Sequence, residues 1–448
     1  MALAVRAKAV DPDLLAFPWD TALEKWPEHL IVALPRGISR HTVRFVRIGG
    51  KVHAVKEIEE SFAQREYDLL NQLTELHVPS VTAKAVVSGR TDTNGEPLPA
   101  ALITEHLQFS LPYRAVFSST PRTDTAIRLL DALTLLIARL HLLGFAWNDC
   151  SLSNTLFRRD AGEFAAYLVD AETGELYPTL SDGQRQYDIE TASLNCIGEL
   201  MDLEAGGRLP EAVDPIAAGQ SLVARYNRLW ELLTEPVTIP LRDSKALNRH
   251  IEKVNRLGFD VGEITLEATG DGMARVHVAP KVVDAGHHAR RLLRLTGIDS
   301  EEHQAQRLLN NLAAFRAEHG NGDDEEVLAA RWVDEVFEPT VMAVPKELRR
   351  KLEPAQIFHE VLENRWYMSE KAGEDVGIER AAQAYIANVL SGKPDEQAVL
   401  GTPPGVEDTL ELPIIDADLL DESPRATDPT LGVPDETDYA AEDESLNP

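Results

Sequence analysis

The chain has 448 residues, enough for two or three domains, and its hydrophobic fraction of 44% is sufficient for a sizeable buried core. Its formal net charge of −30 repels nucleic-acid phosphates, so general nucleic-acid binding is disfavoured and no nucleic-acid partner is expected. The two cysteines, Cys150 and Cys196, are too few for a disulfide scaffold and are typical of a reducing compartment.

The sequence predicts neither a secretory signal nor a membrane span. The first ten residues lack the apolar run and cleavage site of a secretory signal. The most apolar stretch, residues 129–145, contains Asp131, Arg139 and His141, whereas a membrane span needs about 20 nearly uncharged residues. We therefore predict no transmembrane segment and a cytoplasmic location.

The first strands follow a mixed N-terminal arm, residues 1–29. The alternation of residues 29–34 predicts one strand. Residues 42–48 alternate apolar with basic side chains, as a half-exposed strand does. Gly49-Gly50 is a strong hairpin signal, so residues 52–58 are predicted to return as the next strand.

A helix is predicted from Ser61 to Leu76, where apolar residues recur at helical spacing. Glu66 lies on this apolar stripe, and it needs a partner because an unpaired buried charge is costly. Two further strands are predicted near residues 83–88 and 100–105. We interpret residues 30–108 as a first lobe with the element order β-β-β-α-β-β.

A second lobe is predicted over residues 109–235. Its elements are a helix, a loop, a short hairpin and two more helices, over residues 125–143, 144–154, 155–170, 188–204 and 212–233.

The remainder of the chain has a different character. Residues 236–390 predict a separate, mostly helical domain that contains one β-hairpin, over residues 263–279. Residues 391–448 are rich in proline and acidic side chains; within them, residues 401–448 hold fourteen acidic residues and one basic residue, Arg425. Such a composition cannot offset the entropy of ordering, so we predict a disordered acidic tail.

Five polar residues stand at the ends of these predicted elements. Lys56 lies near a strand end and Glu66 on the next helix, and a lysine held by a helix glutamate can bind the α- and β-phosphates of a nucleotide. Asp149 and Asn154 have the spacing of a catalytic-loop aspartate that accepts a hydroxyl proton and an asparagine that ligates a metal. Asp170 ends a short apolar strand as a second hard oxygen ligand for magnesium.

Each of the five residues alone has a commoner structural explanation, such as a snorkelling lysine, a local ion pair, turn chemistry or a strand cap. Their order and element context together favour the functional interpretation.

On these positions, the segment from about Leu30 to Glu204 resembles the kinase-like superfamily, and most of all the lipopolysaccharide kinases that phosphorylate Kdo or heptose sugars. The part from about Leu229 to Leu390 resembles a domain of unknown function that is attached to kinase-like regions in actinobacterial proteins. The resemblance implies an α+β, two-lobed protein-kinase-like fold with a short C-terminal lobe.

The same resemblance implies an ATP- and Mg²⁺-dependent phosphotransferase that acts on a hydroxyl acceptor, such as a sugar or glycolipid. Asp149 would orient and deprotonate the hydroxyl, and Asn154 and Asp170 would hold Mg²⁺. Lys56, held by Glu66, would position the phosphates.

The nucleotide-binding segments are less regular. The phosphate loop, residues 35–41, has one glycine, Gly37, where the family pattern has three. Residues 104–107 are interpreted as the hinge behind the adenine, where backbone groups of Glu105 and Leu107 would hydrogen-bond the base.

Departures from the family pattern keep alternatives open. Ser151 takes the place of a lysine that Ser/Thr protein kinases use, and Glu172 is interpreted as solvated rather than as a spare metal ligand. A nucleotide-binding pseudokinase or sensor, with the C-terminal domain contacting a partner, is therefore the alternative. A third hypothesis is transfer of the nucleotide instead of the phosphate.

Overall fold

The computed structural model describes residues 3–9, 11–34, 41–119, 124–241, 243–269, 272–282, 286–320, 324–393 and 395–396. The chain divides into a unit of residues 1–415 and a unit of residues 416–448, and the second lies wholly outside the described residues. The predicted disordered tail beyond Glu396 is likewise outside them.

Five antiparallel strands form the first sheet, in the order β1-β4-β5-β3-β2. They are β1 (Ala4–Ala7), β2 (Val43–Ile48), β3 (Lys51–Ile58), β4 (Thr82–Ser88) and β5 (Ala100–Glu105). Gly49 and Gly50 join β2 to β3 with φ values of 55° and 78°, as a tight two-residue hairpin turn requires. Helix α1 (Glu60–Glu75) follows β3 and packs its apolar face on this sheet.

Two segments near the N-terminus differ from the sequence prediction. The segment Ala4–Ala7 pairs with β4, so the arm contributes an edge strand to the sheet. The strand predicted at residues 29–34 is wrong: Glu28–Leu30 is a short 3-10 helix, and Ile31 makes only an isolated bridge with Val46. Val32 is buried, and its backbone N–H donates to the Phe45 carbonyl of β2 at 2.7 Å, so the segment lies beside β2 without forming a strand of its own.

The second lobe is built around one buried helix, α3. Its elements are β6 (Ser110–Pro112), α2 (Tyr113–Ser119), α3 (Thr125–Leu142), β7 (Phe145–Ala146), β8 (Thr155–Asp160), β9 (Glu163–Leu168), β10 (Glu175–Leu176), α4 (Asp182–Ala205) and α5 (Pro215–Thr234). Strands β6, β8 and β9 form a small sheet, and β7 pairs with β10. Helix α3 ends where Gly144 takes a φ of 82°, which opens the loop that leads to Asp149.

The C-terminal region is mostly helical, as predicted, and the predicted hairpin gains one further strand to form a three-stranded sheet. Its elements are β11 (Val237–Pro240), α6 (Ser244–Arg256), β12 (Asp260–Ala268), β13 (Met273–Lys281), α7 (His287–Thr296), α8 (Glu302–His319), α9 (Glu325–Trp332), α10 (Glu338–Met342), α11 (Pro354–Ala372) and α12 (Ile378–Asn388). A π-helical turn, Val333–Phe337, joins α9 to α10 just before Pro339, which cannot donate a hydrogen bond to continue an α-helical ladder.

The hydrophobic cores show how the regions are joined. The largest core combines α1, α3, α4 and α5, and it also includes Val254 and Phe259 from the C-terminal region. Two further cores lie among the helices after residue 288. In the described part of the chain, no helix combines the length and apolarity that a membrane crossing needs.

Candidate active site

The lysine and glutamate expected to pair do so. Lys56 lies near the end of β3, and its Nζ is 3.0 Å from Oε2 of Glu66 on α1. The Glu66 side chain is 1% exposed, and Lys56 is 13% exposed. Because the pair is almost fully desolvated, each charge depends on the other for compensation.

Asp170 joins this pair from the second lobe. It lies two residues after β9, and its Oδ2 is 2.9 Å from Lys56 Nζ. Its other oxygen, Oδ1, accepts the Glu172 backbone N–H at 3.0 Å. Three of the five expected residues therefore lie in direct contact.

Glu172 is also part of this cluster, so its interpretation as a solvated side chain is wrong. It is 12% exposed, lies 3.6 Å from Lys56 Nζ and contacts His41 Nε2 at 3.2 Å. One carboxylate oxygen from each of Glu172, Glu66 and Asp170 lies within 4.8 Å of the other two. The lysine and histidine that Glu172 contacts both come from the first lobe.

The cluster perturbs its own protonation. Burial disfavours the charged form of Glu66 and, with the nearby Asp170 charge, raises its pKa to about 7 against the opposing effect of Lys56. Burial alone would lower the pKa of Lys56, but the Glu66 and Asp170 carboxylates outweigh burial and raise it. Lys56 is therefore a permanent cation at neutral pH.

Asp149 and Asn154 face each other across the loop between β7 and β8. Asn154 Nδ2 donates to the backbone oxygen of Asp149 at 2.8 Å and lies 3.4 Å from Asp149 Oδ2. Asn195 on α4 donates to Asp149 Oδ1 at 3.3 Å. The Val169 backbone N–H donates to the Asn154 carbonyl at 3.0 Å, which fixes this loop beside the segment that carries Asp170.

The backbone just before Asp149 is strained. Asn148 has a φ of 65°, a left-handed conformation that asparagine tolerates better than most residues, and its Nδ2 donates to the Thr173 carbonyl at 3.0 Å. Such strain persists only where the surroundings hold it.

Asp188 supplies that support, and the sequence interpretation missed it. Its two oxygens accept the backbone N–H groups of Trp147 at 2.7 Å and Asn148 at 2.8 Å. His141 Nε2 lies 3.0 Å from the same carboxylate, and both side chains are buried. The sequence does carry a signal, because Asp188 shares one helical stripe with buried Ile189, Ala192 and Cys196. The prediction places Asp188 only at the start of a helix.

Glu199 supports the other side of the loop. It accepts the backbone N–H groups of Leu152 at 2.7 Å and Ser153 at 2.8 Å. Asp188 and Glu199 on α4 thus hold the residues on both sides of Asp149 and Cys150.

The structure describes only some of the residues predicted to bind the nucleotide. Gly37 and the rest of the loop from residue 35 to residue 40 lie outside the described residues. The Glu105 carboxylate is 2.6 Å from both Lys51 Nζ and Lys84 Nζ, so its side chain forms ion pairs with two lysines. The Leu107 carbonyl accepts the Ser110 hydroxyl at 2.6 Å.

The donor set suits a small divalent cation. Asn154 uses its amide nitrogen on Asp149, which leaves Oδ1 as the atom that would face a metal. The Asn154 Oδ1 and the Asp170 carboxylate are hard oxygen ligands, which Mg²⁺ prefers alongside phosphates and water. Asn154 and Asp170 therefore carry the types of ligand atom that such a cation takes.

These features define the class of protein to which the first two lobes belong. In a kinase-like fold, the first lobe carries a strand lysine held by a helix glutamate, and the second lobe carries an Asp-x4-Asn loop and a strand-end aspartate. This chain has all of these features. Residues 50–191 match the model of the lipopolysaccharide kinase (Kdo/WaaP) family, and residues 228–390 match a domain of unknown function, DUF4032. Both resemblances expected from the sequence are confirmed.

Similar solved structures include WaaP in complex with acyl carrier protein, with 17% identity over 52% of this chain and 98% of that chain, at a TM-score of 0.31. The BubR1 kinase domain is 14% identical over 48% of this chain and 65% of that chain, at a TM-score of 0.28. A structure of the Rad53 kinase domain and SCD2 is 16% identical over 45% of this chain and 72% of that chain, at a TM-score of 0.28. A search of curated protein sequences gives no significant match.

Proposed function

We propose that the chain is an ATP- and Mg²⁺-dependent phosphotransferase that transfers the γ-phosphoryl group to a hydroxyl, with a sugar or glycolipid as the acceptor class. The observation that carries the proposal is the contact of Lys56 with Glu66 and Asp170, beside the hydrogen-bonded pair Asp149 and Asn154. The match of residues 50–191 to a lipopolysaccharide kinase family supports the acceptor class.

In this mechanism Lys56 binds the α- and β-phosphates of ATP, and Glu66 holds its amine in place. Lys56 Nζ donates directly to Asp170 Oδ2. Phosphate oxygens would replace this carboxylate as the partner of Lys56 and so free Asp170. Bound Mg²⁺ supplies charge neutralisation for the phosphates, and Asp170 and Asn154 are the residues that would hold it.

Asp149 acts on the acceptor. Its carboxylate accepts the hydroxyl proton and orients the oxygen toward the γ-phosphorus. The backbone hydrogen bonds to Asp188 and Glu199 fix the loop around Asp149, so the base is positioned before substrate binds.

The test is phosphate transfer or release from γ-labelled ATP with Mg²⁺ and a panel of hydroxyl acceptors. Asp149→Asn should lower turnover more than about 100-fold, because the general base is lost. Asp182→Asn is the matched control, because Asp182 is 98% exposed on α4 and should keep full activity. Equal turnover in wild type and Asp149→Asn would reject the proposal.

One observation favours a nucleotide sensor as the second candidate. At the position where Ser/Thr protein kinases carry a lysine, the Ser151 hydroxyl accepts the Asn154 backbone N–H at 3.1 Å and brings no positive charge to the transferring group. Stabilisation of the fold by ATP and Mg²⁺ without transfer to any acceptor would favour the sensor. Intact mass measurement would reveal nucleotide transfer as an adenylate adduct on the protein.

A further inference from the structure

The hairpin β8–β9 connects the two residues assigned to the metal. Asn154 directly precedes β8, and Asp170 follows β9 by two residues. The strands pair along their whole length, from Thr155 opposite Leu168 to Asp160 opposite Glu163. A shift of the hairpin would therefore carry both metal-side residues with it.

The tip of this hairpin is bonded to the first turn of α8 in the C-terminal region. Asp160 Oδ1 accepts the Gln304 N–H at 2.7 Å, and Oδ2 accepts the His303 N–H at 3.1 Å. The His303 ring Nδ1 lies 2.7 Å from the same Oδ2. The first N–H groups of a helix have no partner within the helix, so Asp160 caps α8 from a position 143 residues away in sequence.

The strands behind the tip are held by the same region. The Arg158 guanidinium pairs with Glu301 at 2.9 Å and also with Glu353. The Tyr167 hydroxyl donates to Glu301 at 2.6 Å. Arg159 pairs with Glu396 at 2.7 Å.

Backbone groups of the hairpin take part as well. The Gln304 amide donates to the Arg159 carbonyl at 2.8 Å, and the Ala161 N–H donates to Gln356 Oε1 at 3.1 Å. Gln304 is fully buried, and Asp160 is 2% exposed. Water cannot readily replace these partners, so losing one leaves a buried polar group unsatisfied.

We propose that the C-terminal domain is the partner that positions the metal-side hairpin, and that Asp160 is the positioning residue through which α8 fixes Asn154 and Asp170. The proposal rests on the function proposed above where it concerns Mg²⁺. It assigns the region that matches DUF4032 a role in the catalytic unit itself.

The kinetic test compares Asp160→Ala and Asp160→Asn with wild type in the full chain. Asp160→Ala should raise the Mg²⁺ concentration for half-maximal activity about tenfold or more, with a smaller change in the KM for ATP. Asp160→Asn keeps one acceptor oxygen and should have an intermediate effect. Glu325→Gln is the control, because Glu325 pairs with exposed Arg291 within the same domain and does not contact the hairpin.

A purely structural role would give a different result. Loss of folded protein would lower maximal turnover and leave the Mg²⁺ midpoint unchanged, and that outcome would overturn the proposal.

Hydrogen exchange separates this proposal from the proposed function. Asp160→Ala should speed exchange of the amides in residues 155–168 at least tenfold, whether or not the protein transfers phosphate. Unchanged exchange there would overturn the positioning proposal. Faster exchange in a protein without any transferase activity would uphold the positioning of the hairpin and reject only the function on which its metal role rests.

Discussion

The Lys56 amine lies 2.9 Å from Asp170 Oδ2, although the two residues are 114 positions apart in the chain. The contact joins β3 of the first lobe to the segment after β9 of the second. Since Glu66 completes the cluster from α1, three separate elements converge on one ammonium group.

Lys56→Met tests the role of that ammonium group. The substitution should abolish nucleotide binding and lower the free energy of unfolding by about 1–3 kcal/mol, because Glu66 would lose its hydrogen-bond partner. Since the pKa of Glu66 is already raised to about 7, protonation of Glu66 avoids the larger cost of an uncompensated buried charge. Denaturant titration, and melting with and without ATP and Mg²⁺, measure the two effects. Lys8→Met is the control: Lys8 pairs with Glu75 at an exposed site, so its loss should cost at most about 1 kcal/mol. Wild-type nucleotide binding in Lys56→Met would contradict its phosphate role.

Asp188→Ala tests how the catalytic loop is held. It removes the acceptor of two backbone N–H groups and the partner of buried His141, so we expect a loss of about 3–5 kcal/mol in the free energy of unfolding. Activity should fall even under conditions where the variant is folded. Asp202→Ala is the control on the same helix, because Asp202 is 68% exposed. Full activity in a folded Asp188→Ala protein would show that the loop needs no such anchor.

The ion pair between His303 and Asp160 predicts a pH dependence. Burial would lower the pKa of His303, but Asp160, with further help from Glu163 and Glu302, raises it to about 9. Because this exceeds the ordinary value of 6.5, the charged imidazole contributes stability that is fully present below about pH 6.5 and is lost as the pH rises through about 9.

Urea unfolding of wild type and His303→Gln at pH 6, 7.5 and 9.5 measures this contribution. The difference in the free energy of unfolding should be about 1.5–3 kcal/mol at pH 6 and should shrink toward zero at pH 9.5. A difference that stays constant across the three pH values would mean that the imidazole charge plays no part.

The two cysteines are expected to be chemically inert in the folded protein. Cys150 and Cys196 are fully buried, and burial raises the pKa of both thiols well above the ordinary value. A thiol reagent should therefore detect no reactive thiol in native protein and two in denaturant. Rapid labelling of Cys150 in the folded state would mean that the loop beside Asp149 opens.

The site residues that could be predicted from the sequence are marked by patterns in the sequence immediately around them. Glu66 stood out as a charge on an apolar helical stripe, and Asp149 and Asn154 as a spacing within one loop. The Gly49-Gly50 turn could be predicted because both positions need positive φ, which glycine adopts freely.

The residues that it missed depend on distant partners. Glu172 is partly buried and ion-paired because it contacts Lys56 and His41 of the other lobe, and no pattern near Glu172 indicates this. Asp188 carries a local sign of burial only, and its role depends on partners that lie 40 or more positions earlier in the chain. The cap that Asp160 places on α8 spans 143 positions and could not be foreseen from either segment alone.

The central claim is that Lys56, Glu66, Asp149, Asn154 and Asp170 surround one triphosphate and its cation. Its most direct test is a crystal structure of the protein with a non-hydrolysable ATP analogue and Mn²⁺, which anomalous scattering locates in place of Mg²⁺. We expect the anomalous peak within about 2–2.5 Å of Asp170 and Asn154 oxygens, with Lys56 on the α- and β-phosphates. A nucleotide bound elsewhere, or a cation held by neither Asp170 nor Asn154, would contradict the account.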